Sequence, residues 1–495
     1  MRGGAGRVRR AADRGGDAGR WVLRSIRRHW PLLVLLAGGA AVRALAVYAY
    51  RPAFSFPDSI SYLQVAETGV PQPMRTWAYS GFLALLDGVV PFAGVAVVQH
   101  LLGLLSVVLV HALLQHRGVR RWIRVLAVAP LALDGYLIAL EHYVMAESLY
   151  VFLLVSGLVL LLWHERPPWW AATGAGVLLA AGALTRAVGE AVLILVALYV
   201  AVRLLRRTVG WLSAGAAAVG VVAVLLPYVL WFHGTTGVYA LTDFTGHFLY
   251  GRVSSFADCA QLEVPTRLRP LCPTGPPAKR ADPDWYVWSA NSPANSGRFS
   301  EQDLTDFDEL VIRGQPLAYL AGTAAKTLHY FLPGRYAGRF DYCTGWWNFP
   351  GPRRYRPHTC HARLATRGFG LEPTPHHMQD GSARLLVGYQ DWVHTPGPVL
   401  GALALVGLSG LVPHRRRGTG RDAMDGVFCV AIGLALAAAP SATTLFDYRY
   451  GLPLLAVMPM GAALACRGWT GGRPRRPAGS GAADPALFRG PGQQP

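Results

Sequence analysis

The chain has 495 residues, of which 52% are hydrophobic and only 15% are charged, against roughly 25% charged residues in an average soluble domain. It contains 15 Trp, 20 Tyr and 18 Phe, and aromatic side chains are enriched where proteins cross membrane interfaces. This composition excludes a soluble enzyme, a disordered protein and a small disulfide-rich secreted protein. It predicts a polytopic membrane protein.

The formal net charge of +19 is spread over several short stretches of the chain. Nine arginines lie within Arg2–Arg28, and others occupy the gaps between apolar runs: Arg117, Arg120, Arg121, Arg124, Arg203, Arg206, Arg207, Arg415, Arg416, Arg417 and Arg421. Such clusters are typical of cytoplasmic loops under the positive-inside rule. They argue against a single basic groove, and therefore against nucleic acid as a partner.

A membrane-spanning helix needs about 20 predominantly apolar residues. Ten stretches meet or approach this requirement, which predicts an all-α fold with about ten transmembrane helices: Pro31–Tyr50, Ala93–Leu114, Trp122–Leu140, Val144–Trp163, Trp169–Leu184, Val188–Leu205, Trp211–Phe232, Val393–Val412, Met424–Pro440 and Tyr450–Cys466.

Ten spans with a cytoplasmic N-terminus place every arginine cluster inside, and they predict a multi-pass plasma-membrane protein with both termini in the cytoplasm. The predicted units are a basic cytoplasmic tail (1–30), a transmembrane core (31–232) with a first outer loop (51–78), a small, partly irregular extracytoplasmic domain (233–392), C-terminal transmembrane helices (393–466) and a disordered cytoplasmic tail (467–495). The run Pro316–Leu332 is interpreted as an amphipathic surface helix, because a further span there would move the Arg415–Arg417 cluster outside.

Four of the six cysteines fall in the predicted outer domain. An oxidising compartment favours disulfides there, and the local pairs Cys259–Cys272 and Cys343–Cys360 are the simplest of the three pairings. The alternative is a zinc site, for which the chain offers His358, Cys360, His361, His376 and His377.

The first outer loop contains Pro57-Asp58-Ser59, which is typical of the start of a helix. Asp58 then lies at the mouth of the first two spans, either as a helix cap or as a general base whose pKa is tuned by desolvation and by nearby charge. Asp87 and Asp134 are alternative bases near span ends.

The order of several short motifs resembles the GT-C superfamily of polyprenyl-phosphate-sugar-dependent glycosyltransferases. Its protein mannosyltransferase-like branch and the aminoarabinose transferase of lipid A are the most similar. The resemblance covers about 31–205 and 440–466, and it rests on Arg43, Pro57-Asp58-Ser59, Tyr62, Ala66, Arg75, Tyr79-Ser80-Gly81, Gln99, Leu102-Gly103, Met145-Ala146-Glu147-Ser148-Leu149, Thr185-Arg186, Arg449-Tyr450 and Pro453. Ser59 stands where the family often has a second acid.

The resemblance implies inverting transfer of a sugar from a polyprenyl phosphate to a lipid, glycan or protein acceptor at the extracytoplasmic face, with Asp58 as general base. Guanidinium groups hold phosphate with two donors, which makes Arg186, Arg449 and Arg75 candidate ligands of the donor phosphate. Tyr62, Glu147, Glu190 and Tyr450 are candidate supporting residues, and Arg186 has a structural alternative in an ion pair with Glu190.

Other interpretations remain at this stage. A divalent metal is a possible cofactor, although no metal motif is present in the sequence. The same spans also fit a transporter or flippase of a lipid-linked envelope intermediate, or a non-catalytic envelope-assembly protein. Aromatic residues of the outer domain, among them Trp285 and Trp288, are candidates for contact with the acceptor or with the bilayer.

Overall fold

The computed structural model describes residues 27, 29–334, 347–351, 377–412 and 420–470, and within them the protein is almost entirely α-helical. The predicted terminal tails, apart from their innermost residues, and both Cys343 and Cys360 lie outside the described residues. The first half comprises α1 (His29–Ala49), α2 (Pro57–Thr68), α3 (Ala78–Leu86), α4 (Phe92–His116), α5 (Arg121–Leu133), α6 (Gly135–Glu141), α7 (Glu147–Trp163), α8 (Trp169–Thr185), α9 (Gly189–Leu205) and α10 (Trp211–Thr236).

The second half comprises α11 (Thr245–Ser254), α12 (Pro283–Trp288), α13 (Glu301–Gly314), α14 (Pro316–Leu328), α15 (Asp380–Trp392), α16 (Gly397–Leu408), α17 (Gly420–Thr443) and α18 (Leu454–Thr470). Two short strands, β1 (Tyr50–Arg51) and β2 (His377–Met378), pair antiparallel, so that Tyr50 faces Met378 and Arg51 faces His377. This small sheet joins the end of α1 to the start of α15.

The predicted all-α polytopic fold is confirmed, but the count of ten spans is not. Within the described part of the chain, 5 helices are long and apolar enough to cross a membrane, or up to 7 if each of two bent pairs forms one span. The difference arises partly from length, because α7 and α8 are apolar but have only 17 residues each. At 1.5 Å per residue such helices are about 25 Å long, shorter than a hydrocarbon core of about 30 Å.

The predicted span Trp122–Leu140 is broken, a second bend lies at the start of the predicted span Val393–Val412, and one side chain forms hydrogen bonds at both. The pair α5 and α6 bends by 49°, and the pair formed by α15 and the helix that begins at Gly397 bends by 45°. Asp134, at the first break, accepts hydrogen bonds from Tyr136 N and Leu137 N through Oδ1, and from Thr395 N through Oδ2. Asp134 is therefore a helix cap that joins the two breaks.

Close helix packing depends on glycines at the α8–α10 contact. A Cβ added at Gly176 would lie 2.2 Å from Ala217 O, and one added at Gly220 would lie 2.4 Å from Thr173 O. Both values are far below a normal contact distance, so the two backbones approach more closely than any larger residue allows. This is the small-residue packing that membrane helices use to gain van der Waals contact.

A buried cluster of ions joins the end of α4, the start of α17 and the end of α18. Arg117 at the end of α4 forms ion pairs with Asp422 and Asp425 near the start of α17, and Arg467 near the end of α18 also pairs with Asp422. Tyr199 of α9 donates to Asp425 at 2.6 Å. Because the four carboxylate oxygens are shared among several donors, the charges are compensated within the protein.

A second hydrophobic core follows α10 and is built on α11 and α13, with Tyr250, Leu304, Phe307 and Val311 among its buried side chains. Cys259 and Cys272 form a disulfide at the edge of this core. The α14 segment, interpreted from the sequence as an amphipathic surface helix, is a helix of 13 residues that packs against α17.

The α8–α10 contact can be tested with a matched pair of glycine variants. We expect Gly220→Ala to lower the unfolding midpoint, because its Cβ would meet the Thr173 carbonyl, and strain of this kind typically costs about 1–3 kcal/mol. Gly215, on the same helix, has nothing within 4 Å of an added Cβ, so Gly215→Ala is the control. Thermal unfolding in detergent compares them, and equal midpoints would contradict the account.

Candidate active site

Helix ends and loops that are distant in sequence surround one cavity of about 450 Å³. Its lining includes the first-choice base, the candidate phosphate ligands and the supporting residues predicted from the sequence: Asp58, Tyr62, Arg75, Glu147, Arg186, Glu190, Arg449 and Tyr450. Asp58 and Tyr62 come from α2, Glu147 from the first residue of α7, Arg186 from the α8–α9 connection and Arg449 from the 3-10 turn Tyr448–Gly451. The structure therefore brings the predicted set together.

The local sequence explains why α2 presents Asp58 here. Pro57 occupies the first helical position, and Ser59 Oγ accepts a hydrogen bond from Phe56 N at 3.0 Å, which closes the helix start. The same hydroxyl donates to Val144 O at 2.8 Å. Ser59 stands where GT-C glycosyltransferases often have a second acid. Here its buried hydroxyl links the α2 segment to the residues before α7.

Asp58 is held between two arginines. Arg75 Nη2 lies 2.7 Å from Oδ1, and Arg449 Nη1 lies 3.1 Å from Oδ2, while 12% of the Asp58 side chain remains exposed. Burial raises the pKa of Asp58, but the Coulombic attraction of Arg75 and Arg449 and their hydrogen bonds outweigh it, so the pKa lies below its ordinary value. Asp58 is therefore ionised at neutral pH.

Arg449 connects three carboxylates. Besides Asp58, its guanidinium lies 2.9 Å from Asp447 Oδ2 and 3.7 Å from Glu147 Oε1. Glu147 also pairs with Arg186. Arg186 thus uses Glu147 rather than Glu190 as its partner, and the structural alternative from the sequence is wrong on this point.

Three guanidinium groups and three carboxylates form one network of ion pairs at the cavity: Arg75, Arg186, Arg449, Asp58, Glu147 and Asp447. Glu147 Oε2 is buried and accepts no hydrogen bond in the structure. An incoming anion must therefore replace carboxylates around the arginines rather than fill an empty positive site.

Aromatic rings hold the guanidinium planes in place. Arg449 Cζ lies 4.5 Å from the centre of a Trp347 ring, Arg186 Cζ lies 4.9 Å from that of Tyr450, and Arg75 Cζ lies 5.1 Å from that of Tyr62. Such cation–π contacts favour arginine over lysine at these positions.

The sequence analysis assigns no catalytic or donor-binding role to two residues of this arrangement, Asp447 and Trp347. The Trp347 indole N–H donates to Asp447 Oδ2 at 3.1 Å, and both side chains are buried. Asp447 also caps its own turn by accepting from Arg449 N at 3.0 Å. In the sequence, Asp447 is indicated only by its position two residues before Arg449. Nothing in the sequence distinguishes Trp347 from the other tryptophans.

The lining of the cavity also includes apolar side chains. Val188, Ala191 and Ile194 come from the α9 segment, and Ala439 and Pro440 come from α17. Ile194 is 63% exposed, so this apolar strip continues onto the outer surface of the helix bundle. Glu190 lies one turn before Ile194 on α9 and also lines the cavity.

Within the described residues, neither the alternative bases nor a metal ion has a comparable site. Asp134 is the helix cap described above, and Asp87 is the residue that ends α3; neither lines the cavity. In the described ranges, no group of three or more His, Cys, Asp or Glu side chains is arranged to hold a metal ion.

Comparison with known proteins gives one family. The model of the dolichyl-phosphate-mannose-protein mannosyltransferases matches residues 76–240. This match confirms the resemblance to GT-C glycosyltransferases and supports a membrane glycosyltransferase. It contains Glu147, Arg186 and Glu190, whereas Asp58, Arg75 and Arg449 lie outside it.

Two solved structures show weaker similarity. The protein O-mannosyltransferase complex of S. cerevisiae, bound to its sugar donor, is 13% identical over 44% of this chain, with a TM-score of 0.32. The oligosaccharyltransferase of Archaeoglobus fulgidus is 15% identical over 89% of this chain, with a TM-score of 0.41. The chain spans 36% and 50% of the length of these two chains. Comparison with curated protein sequences gives no match.

The network of ion pairs predicts how phosphate acts on an Asp58 variant. Asp58→Asn leaves Arg75 and Arg449 without this partner, so we expect inorganic phosphate to stabilise the variant more than the wild type. Saturation at 100 times Kd corresponds to about 2.7 kcal/mol. Asp303→Asn, which removes a carboxylate from the exposed Arg267 pair, is the control. Equal phosphate shifts in both variants would contradict the arrangement.

The low pKa of Asp58 predicts the sign of a pH effect. Its ion pairs contribute stability above the unfolded pKa of about 3.9, and this contribution disappears as the pH falls through the lower folded pKa. We expect the wild type to unfold at a higher temperature than Asp58→Asn at pH 7, and the gap to narrow on acidification to pH 3. If the difference in unfolding temperature stays constant over this range, the ion pairs of Asp58 with arginine do not stabilise the protein.

Proposed function

We propose that the protein transfers a sugar, with inversion, from a polyprenyl phosphate donor to a lipid, glycan or protein acceptor on the extracytoplasmic face of the plasma membrane. The observation that carries this proposal is one cavity whose lining combines three arginines with apolar side chains that reach the exposed Ile194. A lipid phosphate likewise combines a charged phosphate with an apolar chain.

The arginines are the proposed ligands of the donor phosphate. When the bond between the anomeric carbon and the phosphate oxygen breaks, the electron pair stays on the phosphate, which gains negative charge. Guanidinium groups that already face this position stabilise the developing charge without large reorganisation. Arg186 and Arg449 are the best placed, because both also contact Tyr450 and Glu147.

Asp58 is the proposed general base. The acceptor oxygen attacks the anomeric carbon, and its proton passes to an Asp58 carboxylate oxygen as the phosphate leaves. The two arginines that lower the Asp58 pKa also make it a weak base. Donor phosphate that attracts Arg75 and Arg449 raises the proton affinity of Asp58, so the base becomes stronger when the donor is bound.

The isoprenoid is proposed to leave the cavity along the Val188, Ala191 and Ile194 face of α9. This face is continuous with exposed apolar side chains farther along the same helix, such as Leu198. The sugar then lies at the opposite end, toward α11, which contributes Thr245 and Phe248 to the cavity wall. Trp288 packs on Phe248 with ring centres 6.0 Å apart, so the 233–392 segment offers aromatic surface to an acceptor.

The orientation follows from where the arginines lie. Asp58, Glu147 and Arg449 are at one set of helix ends, while Arg117, Arg203 and Arg206 are at the opposite ends of α4 and α9. The positive-inside rule assigns the arginine-rich ends to the cytoplasm. The site and the 233–392 segment are then extracytoplasmic, and both termini are cytoplasmic.

Transfer of radiolabelled sugar from a panel of polyprenyl phosphate sugars tests the proposal in membranes that carry each variant. We expect Asp58→Asn to reduce transfer by about 100-fold or more, which is the usual effect of losing a general base. Asp87→Asn is the matched control, since Asp87 lies at the end of α3 outside the cavity. Unchanged transfer by Asp58→Asn at equal expression would remove Asp58 as the base.

A further inference from the structure

A chain of buried ionisable side chains lies next to the cavity without lining it. Glu141 ends α6, His142 follows it, His100 lies in the middle of α4 and Arg43 comes from α1. Each of the four is at most 3% exposed. The proposed transfer reaction uses none of them.

These side chains are joined end to end. His100 Nδ1 lies 2.8 Å from Glu141 Oε2, His100 Nε2 lies 3.2 Å from His142 Nδ1, and His142 Nε2 lies 2.9 Å from Tyr50 O. Arg43 donates to both Glu141 oxygens at 2.8 Å. Arg43 Nη2 also donates to Leu131 O, and Nη1 donates to Ala132 O, close to the α5–α6 break.

Three hydrogen bonds along this chain need one more hydrogen than an ionised Glu141 and two neutral histidines supply. The Tyr50 carbonyl only accepts, so His142 Nε2 carries a hydrogen. The His100–His142 contact and the His100–Glu141 contact need one hydrogen each. An ionised Glu141 with two neutral imidazoles provides two hydrogens for three contacts, so all three are hydrogen bonds only if the chain holds an additional proton.

Neighbouring groups hold these side chains in place, but the groups named here do not supply the additional hydrogen. Arg43 is the charged group that faces it from α1. From β1, Tyr50 places its ring centre 6.2 Å from that of His142, and its hydroxyl donates to Pro350 O. From α4, Gln99 donates to Glu141 O and Tyr143 O and accepts from the Tyr79 hydroxyl.

The chain meets both segments that carry the catalytic carboxylates. Phe54 N donates to His142 O at 2.9 Å, and Val144 N donates to Phe54 O at 2.9 Å. Asp58 follows Phe54 by four residues, and Glu147 follows Val144 by three. A displacement of His142 is therefore passed to Asp58 and to Glu147 together.

We propose that Glu141, His100 and His142 are positioning residues, and that one shared proton along their hydrogen-bonded chain holds the Asp58 and Glu147 segments in register. Loss of this proton at alkaline pH leaves two imidazole lone pairs facing each other, which breaks the chain between α4 and the two segments. The positioning role rests on the proposed function, whereas the presence of the proton does not.

The Glu141→Gln variant can keep the three contacts of the chain without the additional proton. The glutamine amide nitrogen can donate to His100 Nδ1, so the three contacts of the chain form with neutral histidines, while Arg43 Nε loses its acceptor at this atom and Arg43 keeps the glutamine oxygen through Nη2. Between pH 6 and pH 9 we expect the unfolding midpoint of the wild type to fall, because under this proposal the native state keeps a proton that unfolded histidine releases above about pH 6.5. Glu141→Gln should show a smaller fall, and the control His164→Gln should keep the wild-type slope. A wild-type slope in Glu141→Gln overturns the proposal.

NMR of wild-type protein labelled with ¹⁵N-histidine answers the same question if Glu141→Gln does not fold. An imidazolium signal that persists at pH 8 supports the shared proton, and only neutral histidines at that pH overturn it.

Sugar transfer then tests the positioning role. We expect the wild-type kcat to fall on the alkaline side with little change in KM, and Glu141→Gln to lose this alkaline limb. Misplacement by about 1 Å can cost up to about 100-fold in rate. Identical pH profiles for the two proteins overturn the positioning role. Absence of transfer with every donor instead counts against the proposed function and leaves the thermal and NMR results valid.

Discussion

The ion pairs of Arg449 are the interaction on which the rest of the site depends. One guanidinium meets Asp58 from α2, Glu147 from α7 and Asp447 from its own turn, and these segments are separated by up to 391 residues along the chain. Burying so many charges is unfavourable unless each has a partner. The charges therefore fix the relative position of the helix ends, and the cavity is what remains between them.

This compensation has a consequence for chemistry. A site built only of arginines would bind any anion, including inorganic phosphate. Here each guanidinium already has a carboxylate, and an anion gains only the difference between the two partners. A ligand that also places an apolar chain along α9 gains burial of hydrophobic surface in addition, which favours a lipid phosphate over a small anion.

Much of this arrangement follows from the sequence. Asp58, Arg186 and Arg449 are recognisable because ionisable residues near membrane spans are costly and therefore informative, and ordered motifs placed them at the same face. The sequence does not show how they pair, since Arg186 has Glu190 one turn away but contacts Glu147, 39 residues earlier. Pairing depends on the approach of α7 to α8, which no local pattern encodes.

The span count shows a similar limit. Hydropathy detects apolar runs, but it does not show that Asp134 breaks one of them and also binds Thr395 N before α16, or that α7 and α8 are shorter than a bilayer. Asp134 was an alternative base because it lies near a span end, whereas its structural role depends partly on Thr395, 261 residues away. Arg43 and Glu141 were likewise separated by 98 residues, so their pairing appears only in three dimensions.

The most direct test of the account is a cryo-EM structure of the protein with a polyprenyl phosphate sugar. The account predicts phosphate density within hydrogen-bonding distance of Arg186 and Arg449, the isoprenoid along Ile194 and the anomeric carbon facing Asp58. Phosphate bound instead in the smaller cavity lined by Tyr136, His394 and Tyr448, with the Asp58 ion pairs intact, would contradict it.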